Sequence, residues 1–199
     1  SERLGDVLLD MGQPKQAFAF HRDAYALACT QFTANGYYDP ETIILQLGKL
    51  TEDMLQLGDL EKAELYIALQ REKIDDLQKY RPTWQTKRLS WQNLDCQKTL
   101  LTRQDRIDEA LAISQQLICD REEAASVNES PEDLYQLARE YREHYQLSQK
   151  STQPPLVPVL LKAYKIISLL VQDRPDVYNY QYERNELEKL LKKAPLLPR

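Results

Sequence analysis

The side chains able to do acid, base or metal chemistry are few. His21 and His144 are the two histidines, 123 residues apart, and neither has a cysteine or second histidine at ligand spacing. His21 sits beside Phe20 and is read as a partly exposed packing residue. His144 abuts Tyr141 and Tyr145 and is read as structural. The carboxylate pairs Asp75/Asp76 and Glu122/Glu123 are adjacent in sequence, so on a helix they diverge by about 100° and cannot converge on one bond. Cys29, Cys96 and Cys119 have no adjacent base to make a reactive thiolate and are expected to pack as small apolar residues. No nucleophile and base come together, so the expectation is a protein without catalysis, cofactor or metal.

Composition narrows the class further. The chain has 199 residues, 42% hydrophobic and 29% charged, which is the balance of a folded protein. Its 5 glycines are far below the roughly 14 that average usage of about 7% would give, leaving little material for phosphate loops or tight hairpins. A net charge of −5 disfavours nucleic acid and anionic membranes as partners. The most apolar stretch, Leu156 to Val171, is broken by Pro158, Lys162 and Lys165, short of the ~20 apolar residues of a membrane span. Three widely spaced cysteines read as reduced thiols, which places the expected location in the cytoplasm. The opening Ser1-Glu2-Arg3-Leu4 falls in mid-pattern, so the chain is read as a piece of a longer protein.

The elements that must position any site are helices. Pro40, Pro82, Pro131 and Pro175 punctuate the chain at separations of 42, 49 and 44. Asp39-Pro40-Glu41 and Ser130-Pro131-Glu132 each offer an N-cap acceptor, proline at the first helical position and an acid in the first turn. Helices are also expected after Pro82 and Pro175, without a capping acceptor on the preceding arginine. Between these marks Ile43, Leu47, Leu50, Met54 and Leu57 recur at helical spacing, and Trp84, Trp91, Leu94 and Leu101 repeat the stripe. A fourth stripe runs through Leu134, Leu137, Ala138, Tyr141 and Tyr145, then a turn over Ser151 to Pro158, then Leu160, Ala163, Ile167 and Leu170. No run alternates strictly as a half-buried strand must. The fold class is all-α.

The chain also repeats itself. Gly12-Gln13-Pro14-Lys15-Gln16-Ala17 returns 46 residues later as Gly58-Asp59-Leu60-Glu61-Lys62-Ala63, and 47 residues after that as Asp105-Arg106-Ile107-Asp108-Glu109-Ala110. An apolar or aromatic residue follows each alanine by three: Phe20, Tyr66 and Ile113. A helical hairpin of ~40 residues cannot bury its apolar face alone, whereas stacked hairpins share a core. The expectation is therefore an α-α superhelix, one solenoid of antiparallel hairpins over 1–199. Its repeats are placed at about 1–38, 39–81, 82–129 and 130–173, with a capping helix at 174–199.

The frame Leu4-Gly5, Leu8, Gly12, Ala17, Phe20, Ala24, matched by Leu50, Met54, Gly58, Ala63 and Tyr66, resembles the tetratricopeptide repeat. Thr51 and Lys98 stand at its first-helix small position, and Gln70 and Leu117 at its second-helix alanine. The long repeat is similar to those of kinesin light chains and of multidomain bacterial signalling proteins. That resemblance implies a scaffold binding a protein or peptide in a concave groove lined by the first helix of each repeat. The groove residues would be Glu2, Asp6, Glu52, Gln56, Gln92, Asp95, Thr99, Tyr135, Arg139 and Arg142. It would be acidic early and cationic late, with Tyr135 as an anchor. The lysine and asparagine of the family's carboxylate clamp are not reproduced. A second expectation is a peptide-sensing module that regulates an attached effector domain. The alternating Tyr178, Tyr180 and Tyr182 cannot all face a core, so one or two are expected as a contact patch.

Overall fold

The computed structural model describes residues 2–35, 39–127, 130–151 and 156–194, without the side chains of Glu2 and residues 31–35. The described residues form nine helices and no strand: α1 (Glu2–Asp10), α2 (Pro14–Asn35), α3 (Pro40–Leu57), α4 (Leu60–Tyr80), α5 (Trp84–Arg103), α6 (Ile107–Val127), α7 (Pro131–Ser148), α8 (Val157–Asp173) and α9 (Tyr178–Lys193). The protein is all-α, as its periodicity predicts. It divides into two compact units, Ser1–Gln104 and Asp105–Arg199, and the division falls inside the third expected repeat.

Local chemistry sets the helix ends. Asp39 accepts from the Thr42 amide and Ser130 from the Asp133 amide, each with proline at the start of the helix. α5 begins differently from its expectation. Thr83, not Arg81, caps it in a reciprocal box with Thr86, so the helix starts two residues beyond Pro82. α9 likewise starts at Tyr178, with Val177 at a cap position that makes no side-chain hydrogen bond. α8 starts at Val157, inside the stretch expected as a turn.

The repeated turn uses a left-handed residue three times over. Gly12, Gly58 and Asp105 all have positive φ, at 71°, 77° and 60°. At the first two, the glycine amide and the next residue's amide bond back to the last carbonyls of the helix (Gly12 to Leu9 and Gln13 to Leu8; Gly58 to Leu55 and Asp59 to Met54). Asp105 keeps the left-handed backbone after the glycine has been lost.

In the first unit α3 packs between α2 and α4, and α5 packs on both α3 and α4. Ile44, Leu47, Leu50 and Met54 are at most 2% exposed. Met54, Leu55, Ala63, Ile67, Cys96 and Leu100 form one cluster, which puts Ala63 at a contact between helices. In the second unit α7 meets α6, α8 and α9, and the core is drawn from all four helices, with Tyr145, Leu160, Ala163, Ile167 and Leu187 fully buried. Ala17, Ala63 and Ala110 are all 0% exposed, as small residues at close helix contacts must be.

Candidate functional site

In the first unit, the open faces of α1, α3 and α5 carry the polar residues that the sequence points to. Asp6 is half-buried on α1; Glu52 is half-buried and Gln56 exposed on α3; Gln92 and Asp95 are half-buried and Thr99 exposed on α5. The side chain of Glu2 lies outside the described residues. Beneath this face a chain of amides ties the helices together. Asn93 Nδ2 donates to Ile67 O and to Gln70 Oε1, both at 2.9 Å, and Gln70 Nε2 donates to Ile44 O at 3.0 Å. Gly48 leaves the room for it: a Cβ there would lie 2.8 Å from Gln70 Nε2 and 2.9 Å from Gln92 Nε2.

Most of the charge expected of the groove is answered within the protein. Lys49 donates to Asp6, and Lys98, only 5% exposed, lies 3.0 Å from Asp95. Glu52 is the exception. Burial raises its pKa above the ordinary glutamate value, and neither a hydrogen bond with Gln92 nor the charge of Lys49 offsets that burial. The early groove is therefore less acidic than its sequence suggests, and its carboxylate in search of a cation is Glu52.

In the second unit the late groove residues are occupied by their own neighbours. The Tyr135 ring packs against Tyr180 of α9, centroids 5.3 Å apart. Arg142 donates to Glu183, whose side chain is 2% exposed, and Arg139 reaches Glu143 at 3.4 Å. The C-terminal helix thus takes up Tyr135 and Arg142. Sequence spacing could not reveal this, because α9 lies some 40 residues downstream.

Two expectations about reactive side chains change. His21 is not partly exposed: it is 0% exposed, with Nδ1 donating to Asp53 Oδ2 at 2.8 Å and Nε2 3.3 Å from Asp6 Oδ1. Asp53 is also fully buried, and burial raises its pKa, with the His21 hydrogen bond acting against the rise. A Cβ on Gly5 would come within 2.4 Å of His21 Nε2, so the imidazole fits only because position 5 is glycine. Cys119 is exposed on α6 instead of packed, while Cys96 is buried and its thiol pKa pushed up by burial. His144 is buried at 4% exposure, consistent with a structural role. Of the three C-terminal tyrosines, Tyr180 is buried, and Tyr178 and Tyr182 stack on each other at the surface, 6.3 Å between centroids.

A separate cleft of about 480 Å³ is lined by Asp39, Pro40, Lys73, Asp76, Leu77, Tyr80 and Arg81. Asp39 is engaged in capping α3 and Asp76 pairs with Lys79, so the lining shows no convergent chemistry. No helix among the described residues is long and apolar enough to cross a membrane. These features define an all-α protein of packed helical hairpins. Comparison with family models, curated proteins and solved structures returns no match.

Proposed function

We propose that this protein is a non-catalytic interaction module of tetratricopeptide type, which binds a protein or peptide across the open face of α1, α3 and α5. The observation that carries the reading is Glu52. It is a carboxylate kept partly desolvated on a preformed face, under-compensated by its neighbours, hydrogen-bonded to Gln92 and one helical turn from exposed Gln56. A lysine or arginine brought to it would recover the charge stabilisation that burial has removed. A rigid helical frame lowers the ordering cost of binding, which favours recognition by preset side chains.

The test is an arrayed set of cationic dodecapeptides screened against the wild type and Glu52→Gln. Binders are expected to lose about tenfold in affinity with Glu52→Gln, a change on the order of 1.4 kcal/mol. A set of binders indifferent to Glu52→Gln would remove this reading.

A further inference from the structure

One buried titratable group, His21, has no part in the binding face. It sits on α2, fully buried, between Asp6 of α1 and Asp53 of α3. Lys49 of α3 pairs with Asp6, and Glu52 of α3 lies within the field of both carboxylates. Arg22 and Asp23, the next residues on α2, are exposed and pair with each other. The two ring nitrogens are not equivalent. Nδ1 donates to Asp53 Oδ2 at 2.8 Å, whereas Nε2 lies 3.3 Å from Asp6 Oδ1 and makes no hydrogen bond. An imidazole that gives its one proton to Asp53 presents a lone pair at Nε2, and the carboxylate oxygen opposite is a second acceptor. Two acceptors in contact repel. A proton added at Nε2 turns the same contact into a hydrogen bond between charged groups, the stronger kind in proteins. It also sets a second cation beside Lys49 against the two carboxylates. The backbone of α1 lies directly on the ring, since a Cβ at Gly5 would come within 2.4 Å of Nε2, so a change at that nitrogen is felt by the helix itself.

We propose that His21 is a proton-operated latch, in which uptake of a proton at Nε2 fastens α1 to α2 and α3 through Asp6. The latch closes as pH falls through the imidazole titration. It opens again at lower pH, when Asp6 or Asp53 takes up a proton in turn. Burial raises the pKa of Asp53, and of Glu52 beside it, which bounds the closed window from below. Lys49 holds Asp6 in both states and supplies the part of the contact that does not vary with the histidine. No partner is needed for the latch to work, so it stands or falls independently of the Glu52 reading.

The test measures hydrogen-exchange protection of the α1 amides from about pH 5 to about pH 9, a range that spans imidazole titration. Each rate is divided by its unfolded-chain value at the same pH, and heteronuclear NMR follows the His21 ring nitrogens in parallel. Protection of α1 is expected to fall by about tenfold as pH rises, with the midpoint at which Nε2 loses its proton. Asp6→Asn supplies an N–H that can donate to an unprotonated Nε2, so this variant keeps α1 protected and loses the step. It retains Glu52 and Asp53, so any change those groups cause survives in it and is subtracted. Lys49→Met removes the constant hold and enlarges the step. A ring whose protonation does not change across the range overturns the proposal, as does a His21 that titrates with no change in α1. So does a step that persists in Asp6→Asn or disappears in Lys49→Met.

Discussion

At the scale of single residues, the physics that marks Glu52 as a binding group also makes it a cost to the free protein. Its pKa is raised mainly by burial, so the folded state holds the proton more strongly than the unfolded chain does. Below the ordinary glutamate value both states are protonated and the group contributes nothing. As pH climbs from there through the raised folded value, the unfolded chain has already ionised, and native stability declines; above it the loss is constant. Glu52→Gln removes that dependence while keeping the Gln92 contact possible. We therefore expect its melting temperature to match the wild type in acid and to exceed it by roughly 2–4 °C at neutral pH, the shift that about 1 kcal/mol makes in a chain of this size. Asp53 also has a raised pKa, but it is present in both proteins and its effect largely cancels in the difference. Paired thermal scans across pH 3.5 to 8, roughly the carboxylate range and above, check this. A wild type more stable than Glu52→Gln at neutral pH would show that Glu52 is already well compensated.

At the scale of helices, the aligned positions show how one interface has been built in two chemistries. Where α2 meets α3 the pair is His21 and Asp53; one repeat on, Ile67 and Leu100 occupy the same places in an apolar cluster. A buried hydrogen-bonded polar contact and an aliphatic one of similar volume are often nearly equivalent in stability, while removing one side of the polar pair leaves the other buried without a partner. His21→Ile alone leaves Asp53 with no partner for either oxygen, since Oδ1 makes no hydrogen bond as it is. It should cost on the order of 3–5 kcal/mol. The double variant His21→Ile with Asp53→Leu copies the next interface and should recover most of that loss, bringing the melting temperature to within a few degrees of the wild type. Denaturant melts of the four proteins give the coupling directly. A double variant as weak as the two single losses added together would mean that the two interfaces are not packed alike.

The same comparison shows what could be read in the sequence. The starts of α3 and α7 were legible because cap, proline and acid are contiguous. The turn at Asp105 was legible from its neighbours even without glycine, because the backbone keeps the left-handed conformation that Gly12 and Gly58 use. The burial of His21 was not, since it depends on Asp53, 32 residues away, and on the missing side chain of Gly5. The loss of Tyr135 and Arg142 to α9 was hidden for a similar reason: periodicity says which face of a helix is apolar, not which later helix will cover its polar edge.

At the scale of the molecule, the division into two units makes a statement about cooperativity that can be measured. The second unit has a core drawn from α6, α7, α8 and α9 alone, and Ile167 lies at 0% exposure within it. Ile167→Ala removes three carbons from a filled site, which costs ~2–5 kcal/mol through lost burial and the cavity left behind. In a protein with one cooperative core that loss would lower amide protection everywhere, because every opening would share the same free energy. With separate cores the loss stays local. We expect native-state hydrogen exchange of Ile167→Ala to accelerate in α6 to α9 by ten-fold or more, with the slow amides of α3 and α4 unchanged. Leu47→Ala, in the fully buried stripe of α3, should give the mirror image. Acceleration that spreads evenly from α8 to α3 would instead point to the continuous shared core that repeated hairpins suggest.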